Sequence, residues 1–184
     1  EDEMTLCKGV KLNGGLHYTL FGISGTKYHS IEPRAAINFR LCDKASLKVS
    51  YTEMSQFMHQ LSATYLNLPT DYWVPSTARI TPMKARQYAA GVYTRLPYNI
   101  RWSVEGFYKT MDNLIEYDGN SGMLNPMADR WEEEVRTGKG KAYGMETDIR
   151  YSNGKTSVDA SYTLSWSKRF FPDFHSSWYP DKFD

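Results

Sequence analysis

The chain has 184 residues, a formal net charge of +1, 41% hydrophobic residues and 15% aromatic residues. This balance gives no support for a nucleic-acid partner, and the hydrophobic content excludes a chain disordered by composition. No stretch approaches the roughly 18 apolar residues that a membrane-spanning helix needs, so a closed β-barrel is the remaining way for this chain to cross a membrane.

The first half of the chain alternates apolar and polar residues, which predicts β-strands with one apolar face. Strand one runs from Val10 to Leu20, and a predicted loop over residues 22–32 leads to strand two, which begins at Pro33. Residues 43–46 predict a tight turn. Strand three alternates over residues 47–52 and then fades, and a long polar and aromatic loop follows to about residue 83.

The second half repeats this arrangement. Strand four ends in a short turn at residues 96–99, strand five begins at Ile100, and a long segment is predicted over residues 113–139. Strand six and strand seven are joined by a compact hairpin turn at residues 152–155. In strand seven, the even positions from Val158 to Trp166 are apolar or aromatic and the odd positions are Ser, Thr or Asp.

The seven strands predict an all-β fold, an antiparallel up-and-down meander. The connections after strands two, four and six are short, whereas those after strands one, three and five span roughly 10–27 residues. Long strands with short turns on one rim and long loops on the other are typical of a transmembrane β-barrel. The alternative is a soluble, secreted β-sandwich that binds carbohydrate, since alternation does not decide whether the apolar face meets lipid or a protein core.

Six segments, in order along the chain, resemble the barrel of TonB-dependent outer-membrane receptors. They are Ser-Ile-Glu-Pro-Arg at 30–34, Lys-Val-Ser-Tyr-Thr at 48–52, Leu-Pro-Thr-Asp-Tyr-Trp-Val-Pro-Ser at 68–76, Glu-Gly-Phe-Tyr-Lys-Thr-Met-Asp-Asn at 105–113, Gly-Lys-Gly-Lys-Ala-Tyr-Gly-Met-Glu at 138–146 and Ser-Tyr-Thr-Leu-Ser at 161–165. The resemblance implies that residues 1–184 are an internal fragment of one barrel domain, about seven strands of a 22-stranded barrel whose plug lies outside this chain.

The same resemblance implies a place in the cell outer membrane and a role in importing a scarce ligand. The ligand classes are a metal chelate, cobalamin or an oligosaccharide, and the energy would come from TonB through the plug region. Outer-membrane lipid and a surface lipoprotein are further expected partners.

An aromatic and charged stretch in the second long loop is the candidate ligand-binding surface. Its residues are Tyr65, Asp71, Tyr72, Trp73 and Arg79. Aromatic rings stack on sugars or chelates while Asp and Arg orient polar groups. The alternative is that Tyr72 and Trp73 belong to the extracellular aromatic girdle of a barrel or pack the loop.

The remaining polar residues are interpreted as structural. The run Glu132, Glu133 and Glu134 beside Trp131 has the hard oxygen ligands that a divalent cation takes, but successive carboxylates of an extended chain point apart, which favours a solvated loop face. A further set is expected to line the lumen and pair across strands, namely Arg101, Glu105, Lys109, Glu146, Asp148, Arg150 and Asp159.

No catalytic or metal-binding motif is present in the sequence. The four histidines lack metal-ligand spacing, and neither a nucleophile elbow nor a phosphate-binding loop occurs, so we expect no enzyme activity, metal or cofactor. Cys7 and Cys42 are both expected near the periplasmic rim. A disulfide between them is left open by the sequence.

Overall fold

The computed structural model describes residues 2–23, 25–61, 72–117 and 131–181. Nine strands pair into one antiparallel sheet in the order β1-β2-β3-β4-β7-β8-β9-β10-β11, and β5 and β6 form a separate hairpin. The strands are β1 (Asp2–Cys7), β2 (Val10–Ile23), β3 (Thr26–Cys42), β4 (Ala45–Gln56), β5 (Met58–Leu61), β6 (Tyr72–Pro75), β7 (Met83–Leu96), β8 (Ile100–Tyr117), β9 (Val135–Ser152), β10 (Ser157–Phe170) and β11 (Tyr179–Pro180). A 3-10 turn covers Trp131–Glu133, and within these ranges no helix is long and apolar enough to cross a membrane.

Seven of the strands are 12 to 18 residues long, well beyond the usual five or six. They coincide with the seven predicted strands, so the all-β antiparallel meander is confirmed. β8 and β9, for example, pair from Ile100 opposite Tyr151 to Asp112 opposite Lys139 without a shift in register. Ladders of this length satisfy backbone donors and acceptors in segments that have little protein core around them.

The predicted loop over residues 22–32 is wrong. β2 continues to Ile23 and β3 begins at Thr26, so this connection is as short as those on the opposite rim. The alternation weakens there because Lys27 and His29 occupy positions on the face that is apolar elsewhere in β3. A strand that extends past an apolar band keeps its hydrogen-bond ladder without apolar side chains, so periodicity alone underestimates its length.

The other two long connections carry more structure than predicted. β8 continues to Tyr117 and β9 begins only at Val135, so strands occupy both ends of the segment predicted as a loop over residues 113–139. After β4 the chain folds back into the β5–β6 hairpin, in which Leu61 lies opposite Tyr72. We call the rim with these two connections the loop rim and the opposite one the turn rim.

The strand register places apolar residues opposite apolar residues and polar opposite polar, so the sheet has one apolar and one polar face. On the apolar face, Val92 lies opposite Val104 and Ile149 opposite Ala160. Large apolar side chains on this face are exposed, with Val158 at 52%, Tyr162 at 59% and Trp166 at 42%. No second layer of the described ranges covers them, which contradicts the β-sandwich alternative because a sandwich buries one face of each sheet.

The polar face is the concave one. Residues of this face line one concavity of about 720 Å³ at the turn rim that reaches from β1 to β9. Lys11, Asn38, Tyr93, Arg101 and Asp148 are among them. The sheet therefore curls around its polar side and turns its apolar side outward, as the wall of a water-filled barrel does.

The two cysteines lie at the turn rim and are not bonded to each other. Both thiols are free and exposed. Cys7 lies opposite Val10, Val10 lies opposite Phe39, and Cys42 is three residues farther along β3. Two strand spacings and three residues along a strand separate the Cα atoms by about 14 Å, beyond the roughly 4.4–6.8 Å that a disulfide spans.

Candidate functional site

The loop rim carries a small folded cap built around the β5–β6 hairpin. Its buried apolar side chains are Leu61, Val74, Ile80 and Val135. The partly buried Ile115, Tyr117 and Trp131 pack against them. The cap therefore rests on the ends of β8 and β9 that lie at the loop rim.

A buried polar contact fixes the hairpin to the chain that follows it. His59 is 2% exposed and Ser76 is fully buried, and His59 Nε2 lies 2.9 Å from Ser76 Oγ. Burial lowers the pKa of His59, because a charged imidazolium would lose its hydration in this position. The side chain is therefore neutral at pH 7 and shares one hydrogen bond with the hydroxyl.

Two further contacts tie the loop to the sheet. Tyr28 Oη donates a hydrogen bond to the Thr77 carbonyl oxygen at 2.5 Å, and Asn113 Nδ2 donates to the Pro82 carbonyl oxygen at 3.0 Å. Asn113 has a φ of 59° at the bulge in β8, a conformation that Asn adopts more readily than most residues. The chain around Thr77 and Pro82 is thus tied to β3 and to β8.

The structure places the predicted ligand-binding residues as follows. Tyr65 and Asp71 lie outside the described residues, and Tyr72 begins β6. Trp73 is 59% exposed on β6, and the exposed Arg79 donates from Nη1 to Glu133 Oε1 at 3.4 Å. Trp73 and Arg79 therefore present a ring and a guanidinium at the loop rim, and their role in binding stays a prediction.

The acidic run beside Trp131 does not converge. Glu133 turns to Arg79, whereas Glu134 Oε2 accepts a hydrogen bond from Tyr117 Oη at 2.7 Å. In the part of the chain that the structure describes, no group of three His, Cys, Asp or Glu residues could hold a metal ion. Glu133 and Glu134 have separate partners, which fits a solvated loop face.

The polar face carries charges that pair across strands. Arg150 Nε lies 2.8 Å from Asp148 Oδ1 and 3.8 Å from Asp159 Oδ1, and Arg150 and Asp159 are directly opposed on β9 and β10. This confirms cross-strand pairing for part of the predicted lumen set. Glu105 Oε2 accepts a hydrogen bond from Tyr93 Oη at 2.6 Å on the same face.

Sequence reasoning missed an aromatic row on the apolar face. Its five side chains are directly opposed from β4 to β10: Tyr51, Tyr88, Tyr108, Tyr143 and Trp166. The centroids of the two outermost pairs lie 4.9 Å apart for Tyr51 and Tyr88 and 5.6 Å apart for Tyr143 and Trp166. The signal was present, because the apolar alternation of each of these five strands has an aromatic residue at its loop-rim end.

This row has the composition of an interfacial girdle. Tyr and Trp rings sit where hydrocarbon meets the headgroups of a membrane. Below the row, toward the turn rim, the apolar face carries aliphatic and aromatic residues such as Leu164, Tyr162 and Val158, and above it the same face becomes charged. The predicted alternative that Tyr72 and Trp73 form the girdle is not favoured, because Trp73 lies on β6, outside the nine-stranded sheet.

The comparisons with known proteins agree with this architecture. The family model described as "TonB dependent receptor-like, beta-barrel" matches residues 1–183. The structure of the alcaligin outer-membrane receptor FauA from Bordetella pertussis superposes with a TM-score of 0.58 at 17% sequence identity, over 91% of this chain and 29% of that one. This chain thus spans under a third of the length of that receptor, and no curated protein matches it in sequence.

Proposed function

The chain belongs to the TonB-dependent receptor β-barrel family of the cell outer membrane, and from this we propose that it forms part of the wall of an importer powered by TonB. The observation that carries the proposal is the curvature of the sheet. The polar face is concave and the apolar face is convex and exposed, so the wall encloses water and meets lipid. The family is one of receptors and transporters rather than enzymes.

The ligand that this importer takes up is a scarce, bulky solute: a metal chelate, cobalamin or an oligosaccharide. The support is the surface at the loop rim, where the Trp73 ring is exposed and the Arg79 guanidinium is more than half exposed. An exposed ring stacks on a flat chelate or a sugar face, and a guanidinium pairs with carboxylate or hydroxamate oxygens. TonB would act through a plug region encoded outside this chain, and a surface lipoprotein is the further partner.

The test uses the full-length receptor in cells from which the native copy is deleted. Growth is measured with a ferric hydroxamate as the sole iron source, with cyanocobalamin as the sole cobalamin, and with a malto-oligosaccharide as the sole carbon source. The proposal expects restored growth on one of these, lost when TonB is deleted. Growth on none of the three, or growth that does not need TonB, would overturn it.

The loop surface is tested separately with the ligand that passes this screen. Trp73→Ala and Arg79→Ala are each expected to weaken ligand binding about tenfold or more, the scale of losing one stacked ring or one charge-assisted hydrogen bond. Asn153→Ala on the turn rim is the matched control and should bind as the wild type does. Unchanged binding in both loop variants would show that the ligand is held elsewhere.

A further inference from the structure

Three arginines lie directly opposite one another on the polar face, close to the turn rim. Arg95 on β7 is opposite Arg101 on β8, and Arg101 is opposite Arg150 on β9. We call these three residues the arginine row. The first pair comes directly before Leu96 and Ile100, the last pair of its ladder. The row therefore lies at the turn-rim end of the lumen wall.

The protein neutralises the charge of this row only in part. Arg150 Nε lies 2.8 Å from Asp148 Oδ1 and 3.8 Å from Asp159 Oδ1. Arg95 and Arg101 are exposed, and within the described ranges their side chains form no ion pair and no hydrogen bond. Like charges directly opposite in a sheet are destabilising. The arrangement therefore costs stability unless an anion lies against the arginines.

The wall around the row has a surplus of positive charge. Two of its other cations are paired, because Lys11 Nζ lies 2.6 Å from Glu3 Oε1 and Arg40 Nη2 lies 2.7 Å from Asp43 Oδ1. Lys44 lines the same concavity, and no carboxylate of the described ranges pairs with its ammonium group. The uncompensated cations are thus this lysine and the first two members of the arginine row.

The arginine row lines two adjoining cavities. All three arginines line the concavity of about 720 Å³ on the polar face. They also line a groove of about 650 Å³ that reaches the β7–β8 and β9–β10 turns at Asn99 and Ser152. Ser46 and Ser103 add hydroxyl groups to the wall of the concavity. Pockets of roughly 300–1,000 Å³ are typical of small-molecule sites.

We propose that the arginine row binds a small polyanion with two or more carboxylate or phosphate groups. The inference uses the placement of the chain as a barrel wall and holds whichever ligand is imported. Its first support is geometry. Directly opposed Cα atoms are about 4.5–5.5 Å apart, so neighbouring guanidinium groups reach two anionic groups of one small molecule. Each guanidinium binds carboxylate or phosphate oxygens through two parallel hydrogen bonds.

Its second support is the charge of the lumen at this level. Arginine and lysine side chains that line a water-filled pore favour anions, and the short turns of outer-membrane barrels lie on the periplasmic side. The arginine row thus holds its anion at the periplasmic end of the lumen. The competing occupant is a carboxylate of the receptor itself, and the experiment separates it from a free anion.

The experiment measures binding to the purified full-length receptor by isothermal titration calorimetry, at low ionic strength because salt screens exposed charges. The probes are citrate, pyrophosphate and the uncharged trimethyl ester of citrate. The test variant is R95Q/R101Q. The matched control is K48Q/K109Q, which removes the same charge from the polar face outside both cavities. Resistance to unfolding by SDS without heating checks that each variant folds.

The wild type is expected to bind citrate or pyrophosphate and not the ester. R95Q/R101Q should weaken binding of the anion about 100-fold, at about tenfold per arginine, while K48Q/K109Q should change it less than twofold. R95K/R101K keeps the charges and should bind more tightly than R95Q/R101Q. Equal losses in the two glutamine variants would overturn the proposal. So would a wild type that binds neither anion while R95Q/R101Q unfolds more readily, because a carboxylate of the receptor would then occupy the row.

Discussion

An arginine at Tyr162 tests which face of the sheet meets hydrocarbon. Tyr162 lies on the apolar face of β10, four residues from Trp166 in the aromatic row and four from Val158 near the turn rim. Those eight residues span about 26 Å along the strand, or about 20 Å along the membrane normal at a tilt of about 40°. Tyr162 is therefore close to the middle of the apolar band.

Tyr162→Arg is expected to lower the free energy of unfolding by about 2–4 kcal/mol, the cost of a lipid-facing arginine at the bilayer midplane. The assay is urea unfolding of the full-length receptor in phosphatidylcholine vesicles, followed by tryptophan fluorescence. The matched control is Ser161→Arg, one residue away on the polar face and directly opposite Asp148. It should change the free energy by less than about 1 kcal/mol, because its charge stays in water beside a carboxylate.

Comparable losses in the two variants would refute the assignment of the faces. A larger loss for Ser161→Arg would reverse it, placing lipid on the polar side of the sheet. Tyr162→Leu separates the effect of charge from that of removing the ring, and is expected to leave the free energy of folding nearly unchanged.

Two further predictions concern the strand packing and the cap. A Cβ on Gly144 would lie 2.5 Å from the Leu164 carbonyl oxygen, whereas one on Gly14 meets nothing within 4 Å. Gly144→Val should therefore reduce the yield of folded barrel in vesicles, while Gly14→Val should leave it unchanged. Equal yields of the two variants would contradict this prediction. Burial lowers the pKa of His59 in the closed cap. When the β5–β6 hairpin opens, His59 meets water and takes up a proton near its ordinary pKa of about 6.5, whereas in the closed cap it stays neutral. The closed cap should therefore lose up to about 1.4 kcal/mol of stability for each pH unit below about 6.5. Hydrogen exchange of the β5–β6 amides, corrected for intrinsic rates, should show less protection at pH 5.5 than at pH 7.5 in the wild type but not in His59→Gln. The same pH dependence in both proteins would rule out His59 as its source.

The candidate site shows how far sequence reasoning reaches. Of the five residues predicted as a ligand-binding surface, Trp73 and Arg79 lie exposed at the loop rim. Their role in binding stays a prediction. The buried contact between His59 and Ser76 has no periodic signature, because it forms between two segments that meet only when the hairpin closes.

Periodicity also misjudged where strands end. The alternation of β3 is clear where the apolar face crosses the band from Ala35 to Phe39, and is lost where Lys27 and His29 take the same face beyond it. Hydrogen bonding between backbones continues the strand regardless of the side chains. The alternation therefore marks where the face is apolar and not where the strand ends.

The sequence by itself determined the seven long strands, their antiparallel order and the two faces, because a period of two places alternate side chains on opposite sides of any strand. It did not determine which face is inside. That was decided by the curvature of the sheet, which brings Lys11 of β2 and Asp148 of β9 to one concavity. The register between strands also brought five separate aromatic side chains into one row. Which residues lie opposite each other depends on how two strands pair, so the sequence of a single strand does not decide it.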